Sequence, residues 1–222
     1  STLMNREYQW FSALLCYPEA ELLEALPEFQ TALGQWPLPA AQKATLQSFL
    51  DYLGSRSLIE LQQTYVNTFD RNRSHAMYIF EHVYGEDRGR GMAMVDLLEE
   101  YKSEGFSLNS NELPDYLPVL LEFFAQIDAE KARRLLGDAV HVIAHIGNKL
   151  EANGSPYAAL MRGITAMSPV APQPLIEPPV RDMDEAMETF GPDVSGTEPL
   201  LKPAVDTVKF YPKDAYRAAQ GV

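Results

Sequence analysis

His141 and His145 stand four residues apart, a spacing that on a helix turns two imidazoles to one side, where they could share a metal ion. A hydrolytic zinc helix would also place a glutamate directly after the first histidine. Here Val142 follows, and Ile143 and Ile146 make the surroundings apolar. The pair reads either as two ligands of an incomplete metal site or as two structural histidines on a core-facing helix. Gly85-Glu-Asp-Arg-Gly-Arg-Gly91 is rich enough in glycine for backbone amides to converge on an anion. It matches neither the Walker pattern nor a dinucleotide fingerprint, and Glu86 and Asp87 would repel phosphate, so a flexible inter-helix connection is the plainer reading. No serine lies in a nucleophile elbow, and the lone Cys16, between Leu15 and Tyr17, has the setting of a buried, inert thiol. One open reading is therefore a metal- or nucleotide-dependent helical enzyme using His141, His145 and the Gly85 loop. The other is a non-enzymatic protein with no catalytic residue, no metal site and no cofactor.

A second constellation points to binding rather than catalysis. Between Tyr65 and Leu121, Asp70, Glu81, His82, Asp87, Asp96, Glu112 and Asp115 alternate with tyrosine, phenylalanine and methionine. The aromatics Tyr65, Phe69, Tyr78, Phe80, Tyr84, Tyr116, Phe123 and Phe124 are too many for one solvent face, so most must line a core. The rest are expected to wall a groove that receives the apolar face of an amphipathic peptide helix, with rim carboxylates catching Arg or Lys through charge-assisted hydrogen bonds. The bland counterpart for Glu112 and Asp115 is helix capping at the start of the Leu117 helix.

Composition limits the alternatives. The 222 residues are 46% hydrophobic and 22% charged, enough for one helical domain with an appendage. Eighteen basic against 31 acidic residues give a net charge of -13 and a pI near 4.7, which disfavours nucleic acid and favours basic partners. A single cysteine allows no internal disulfide framework and suits a reducing compartment. The first residues lack a basic stretch followed by an apolar core, and no apolar run approaches the roughly 20 residues that span a bilayer. The expectation is a cytoplasmic protein without direct membrane insertion.

These residues must be positioned by helices, because strand signals are nearly absent. Tyr8, Phe11, Leu14 and Leu15 make a first amphipathic helix that Pro18 stops. A second is expected from Glu19 to Leu33 with Gly34 as its terminator, and a third from Ala40 to Leu53. Ser57 and Glu60 form a capping box that opens a helix with Leu58, Leu61, Tyr65 and Phe69 on one face. Met94, Leu97, Leu98 and Tyr101 mark a helix ending near Gly105, and Leu117, Leu120, Leu121 and Phe124 the next one. Ala139, Val142, Ile143, Ile146 and Leu150 mark a longer helix, and Ser155-Pro156 opens a last one. The fold class is all-α, a single compact helical domain of about eight or nine helices over residues 1–168. From Pro169 onward nine of the 16 prolines crowd into residues 169–222, a Pro-rich, largely irregular and loosely docked tail with apolar islands at 183–190 and 205–211.

Phe80 to Tyr101 (FEHVYGEDRGRGMAMVDLLEEY) followed by Gly105 to Phe123 (GFSLNSNELPDYLPVLLEF) resembles the NarJ-type nitrate reductase assembly chaperones. These form a branch of the chaperones for twin-arginine-exported molybdoenzymes. The resemblance implies a chaperone that binds the N-terminal segment of the respiratory nitrate reductase alpha subunit and supports insertion of molybdenum cofactor and iron–sulfur cluster before membrane docking, acting as a monomer or weak dimer. A different molybdoenzyme as client is the weaker variant. The family's acidic-proline-aspartate motif falls on Glu112, Pro114 and Asp115, and Tyr116 stands where many members carry histidine. Candidate client-contact residues on this basis are Tyr65, Phe69, Asp70, Glu81, His82, Glu112, Asp115, Tyr116 and Glu122. The Ile176 to Val180 and Val208 to Tyr211 segments are similar to C-terminal islands of such chaperones, and one of them is expected to fill the groove when no client is present.

Overall fold

The computed structural model describes residues 2–109 and 111–176. Ten α-helices and no strand are found among these residues. Helix α8 (Leu117–Gln126) is the centre. Every side chain from Leu117 to Phe124 is buried, as expected of a helix apolar on all sides. Helix α1 (Thr2–Leu15) lies along it, and Ser12 Oγ donates to the Pro118 carbonyl at 2.7 Å. The amphipathic α9 (Ala129–Ala152) packs against α8, and α10 (Ala158–Ala166) packs against α9 and α1. Asp128 caps α9 by accepting from the Lys131 amide at 3.2 Å, satisfying a donor that a helix start leaves free.

Two local expectations are corrected. The helix foreseen over Glu19–Leu33 is two helices, α2 (Ala20–Glu24) and α3 (Leu26–Gln35), because Pro27 takes an early position of a new helix and breaks the old one. Gly34 consequently lies inside α3 rather than ending it. The Gly85–Gly91 connection is also shorter than foreseen. Gly85, at φ 57°, terminates α6 (Ile79–Tyr84), while Gly89 already begins α7 (Gly89–Ser103).

Elsewhere the helices follow the periodicity. Helix α4 (Ala40–Gly54) buries Leu46, Phe49, Leu50 and Leu53. Ser57 Oγ accepts from the Glu60 amide at the start of α5 (Leu58–Tyr65), which supplies half of the capping box. This helix runs on into a π turn, Val66–Asp70, where the Arg71 amide reaches back five residues to the Val66 carbonyl. A short 3-10 turn, Arg73–His75, follows. Ser155 supports α10 from just outside, accepting from the Tyr157 amide at 3.2 Å. The first residues of the proline-rich stretch dock on the domain. The Gln173 amide donates to His141 Nδ1 at 2.8 Å, and Pro169 and Val170 lie over Gly137. The islands at 183–190 and 205–211, and all but Ile176 of the 176–180 segment, lie outside the described residues.

Candidate functional site

Two loops meet at the starts of α6 and α8 and build the site. The Leu117 amide donates to the Met77 carbonyl at 2.8 Å and the Ile79 amide to the Asp115 carbonyl at 3.2 Å, so Tyr78 and Tyr116 face each other as a single antiparallel rung. Asp115 sits within this clamp with 0% of its surface exposed. Its Oδ2 accepts from the Phe80 amide at 2.9 Å. The capping expected of Asp115 therefore serves α6, not its own helix α8. Its Oδ1 has no hydrogen-bond partner, and burial pushes the carboxyl up to about 6, against the pull of the Phe80 amide and the Arg90 charge.

Glu112 forms the outer half of the motif. It is half-buried and accepts from the Tyr78 hydroxyl at 2.6 Å, while its carboxyl is raised by burial. Asp70, exposed at the end of the π turn, is near enough to push Glu112 further up and is itself raised by desolvation. Glu81 pairs with Arg73 at 3.2 Å. These three carboxylates are the members of the expected set that reach solvent around the clamp.

The other expected residues stand behind or away from this surface. Tyr65 is buried, donating to the Leu15 carbonyl at 2.8 Å, which leaves the Tyr116 hydroxyl to donate to Tyr65 across 3.0 Å. Phe69 packs edge-on against the Tyr157 ring, with centroids 4.9 Å apart. Tyr65, Phe69 and Tyr116 thus shape the site from beneath and give it no outer surface. His82 is buried with Nε2 donating to the Ala76 carbonyl at 2.6 Å. Glu122 is remote from the clamp, on the side of α8 that meets α1. Burial raises its carboxyl to about 8, only partly offset by the neighbouring Ser12 hydroxyl.

Helix α7 adds a surface that periodicity alone did not find. Its inner face carries Tyr101, whose hydroxyl donates to the Pro114 carbonyl at 2.6 Å and so holds the acidic motif in place. On the outer face Met92, Val95 and Leu98 are 66%, 54% and 42% exposed. Leu98, expected with the inner face, belongs to this stripe. The available signal was a second apolar series at three-residue spacing, which a helix with only one buried face does not need. Exposed Asp96 and Glu99 lie beside it.

The enzyme-like features are engaged in structure. His141 Nδ1 takes the Gln173 amide, and the His145 ring stands edge-on to His82 at 5.9 Å. Among the described residues no three His, Cys, Asp or Glu side chains lie together as a metal set. The Asp87 carboxylate accepts from the Gly89 amide at 2.7 Å, placing a negative charge where a phosphate would have to sit. None of the described helices is long and apolar enough to cross a membrane.

Residues 35–162 match the family model described as the nitrate reductase delta subunit. The chain is 34% identical over 204 residues to the nitrate reductase molybdenum cofactor assembly chaperone NarJ of Escherichia coli K12, covering 90% of this chain and 83% of that protein. It is 35% identical over 155 residues to the probable assembly chaperone NarW of the same strain, covering 70% and 64%. With the probable chaperone NarJ of Bacillus subtilis 168 it shares 33% identity over 159 residues, covering 70% and 86%. On a family match over more than half its length and 33–35% identity to these relatives over 70–90% of the chain, the chain belongs to the nitrate reductase delta-subunit family of molybdenum cofactor assembly chaperones.

Proposed function

We propose that this chain binds the N-terminal segment of the respiratory nitrate reductase alpha subunit in the cytoplasm and holds the subunit while molybdenum cofactor and iron–sulfur cluster are inserted, before membrane docking. The observation that carries this reading is the exposed Met92, Val95 and Leu98 stripe on α7, flanked by Asp96 and Glu99. A peptide helix with an apolar face and basic flanks complements both its greasy surface and its charge. The -13 net charge favours the encounter with such a segment. Glu112, Asp70 and Glu81 extend the acidic rim toward the Tyr78–Tyr116 clamp. Tyr65, Phe69, Asp115 and Tyr116 act here as supports that fix the rim.

Calorimetric titration with a synthetic peptide from the N-terminus of the cognate alpha subunit tests the reading. Micromolar or tighter binding is expected, with none for a scrambled peptide of equal charge. Equal binding of both peptides, or of neither, would move the client site elsewhere on the subunit.

A further inference from the structure

A cavity of ≈ 250 Å³ opens between α1, α4 and α10, and no residue of the clamp lines it. Phe11, Trp36 and Leu46 form its apolar wall, and the exposed Gln42, Thr45 and Ala166 stand at its mouth. Its base is fixed by a close helix approach. A Cβ on Gly163 would meet the Phe11 ring at 2.7 Å and Leu46 Cδ2 at 2.9 Å. Into this wall comes one carboxyl group, that of Glu7, which is only 8% exposed. Among the described residues no hydrogen bond or ion pair engages its carboxyl. The cation on the cavity wall, Arg162, is committed to Glu151 and Asn148.

A buried carboxyl without a partner is costly and is a site that a cation can improve. Burial alone pushes Glu7 up to about 7, so its charge is held back by desolvation and not by any neighbour. Apart from Gln42 and Thr45 at the mouth and the Arg162 guanidinium, which Glu151 and Asn148 hold, the remaining lining is apolar. That combination matches one ligand shape, an unbranched aliphatic stem ending in a positive charge. Because the cavity is the size of one long side chain and the chain is acidic overall, the ligand fits as part of a basic polypeptide.

We propose that the cavity between α1, α4 and α10 is a second binding site, which takes the aliphatic stem and cationic end of a lysine or arginine side chain presented by a partner polypeptide. The stem lies against Phe11, Trp36 and Leu46 and the cation meets Glu7. This site is separate from the α7 surface and stands whichever client occupies that surface.

Both tryptophans of the chain are at this cavity: Trp36 lines it and Trp10 packs edge-on to Trp36 with centroids 4.8 Å apart. Tryptophan emission of the full chain therefore reports occupancy. Titration with the capped tripeptide Ala-Lys-Ala is expected to give a saturable change. The norleucine analogue, which keeps the stem and lacks the ammonium, is expected to bind more weakly by roughly tenfold or more. Glu7→Gln should erase that preference, and Ala159→Leu, which fills the cavity from α10, should abolish both responses. Helical circular dichroism verifies that each variant is folded. Equal affinity for the two peptides, a preference that survives Glu7→Gln, or no saturable change with either peptide would overturn the proposal. Binding of hexylammonium without binding of the lysine peptide would overturn its polypeptide part.

Discussion

Helices α7 and α8 are both built on Leu, Val and aromatic residues, yet they use them in opposite ways. In α8 eight consecutive side chains, Leu117 to Phe124, are enclosed. In α7 only Tyr101 is buried, and Met92, Val95 and Leu98 face water. Apolar content alone therefore does not say whether a helix serves the core or a partner. What separates them is the neighbourhood: α8 is surrounded by α1, α9 and the 76–79 loop, whereas α7 touches the domain chiefly along the Tyr101 side and α6.

The largest effect should come from α8. Leu121→Ala removes a fully buried side chain and is expected to cost about 2–5 kcal/mol in urea unfolding. A cost below 1 kcal/mol would mean that the centre of the fold lies elsewhere. Next comes Glu122, the ionisable group enclosed with those apolar neighbours. Its folded pKa of about 8 lies above the unfolded value of 4.5, so the folded state holds a proton that the unfolded state has lost in between. The stability this group contributes is full below pH 4.5 and is lost as the pH rises through 8. Glu7 and Asp115, raised to about 7 and 6, have the same sign. Melting temperature should accordingly fall between pH 5 and 8.5, and Glu122→Gln should flatten the fall, with a gain on the order of a few kcal/mol at the alkaline end.

A smaller change is expected at the clamp. Asp115→Ala leaves the Phe80 amide without its acceptor and should cost about 1–3 kcal/mol, with faster hydrogen exchange at Phe80 than at the Leu120 amide of α8. An unchanged exchange rate would show that the Tyr78–Tyr116 rung holds α6 without the carboxylate. The smallest effect on stability belongs to α7. Val95→Ser combined with Leu98→Ser should shift unfolding by no more than about 0.5 kcal/mol, while removing alpha-subunit peptide binding in the calorimeter. Loss of stability comparable to Leu121→Ala would erase the distinction between the two helices.

Most helices could be read from the chain because their signals are local. Ser57 and Asp128 each stand directly before a helix and accept from the amide three residues on, and the Leu117 to Phe124 run is too apolar for a surface helix. The α2–α3 break was hidden because Pro27 is equally compatible with a turn inside an apolar series and with the first turn of a new helix. The site was less legible. Asp115 caps a helix 35 residues earlier in the chain, and such a pairing leaves no trace in local spacing. Glu7 stands four residues before Phe11, on the apolar stripe of its helix, but a single glutamate there reads equally as the edge of a solvated face. The depth of Tyr65, Phe69 and Tyr116 was not legible, since an aromatic residue that walls a groove and one that supports it look the same in a sequence.

The bond from Ser12 to the Pro118 carbonyl joins residues 106 positions apart, and it lies in the seam where α1 meets α8. During synthesis α1 emerges long before its partner exists, so its Phe11, Leu14 and Leu15 face must wait in water until most of the domain has left the ribosome. A helix made early is thus among the last to find its place, and a stalled or truncated nascent chain would itself be a substrate for general folding helpers.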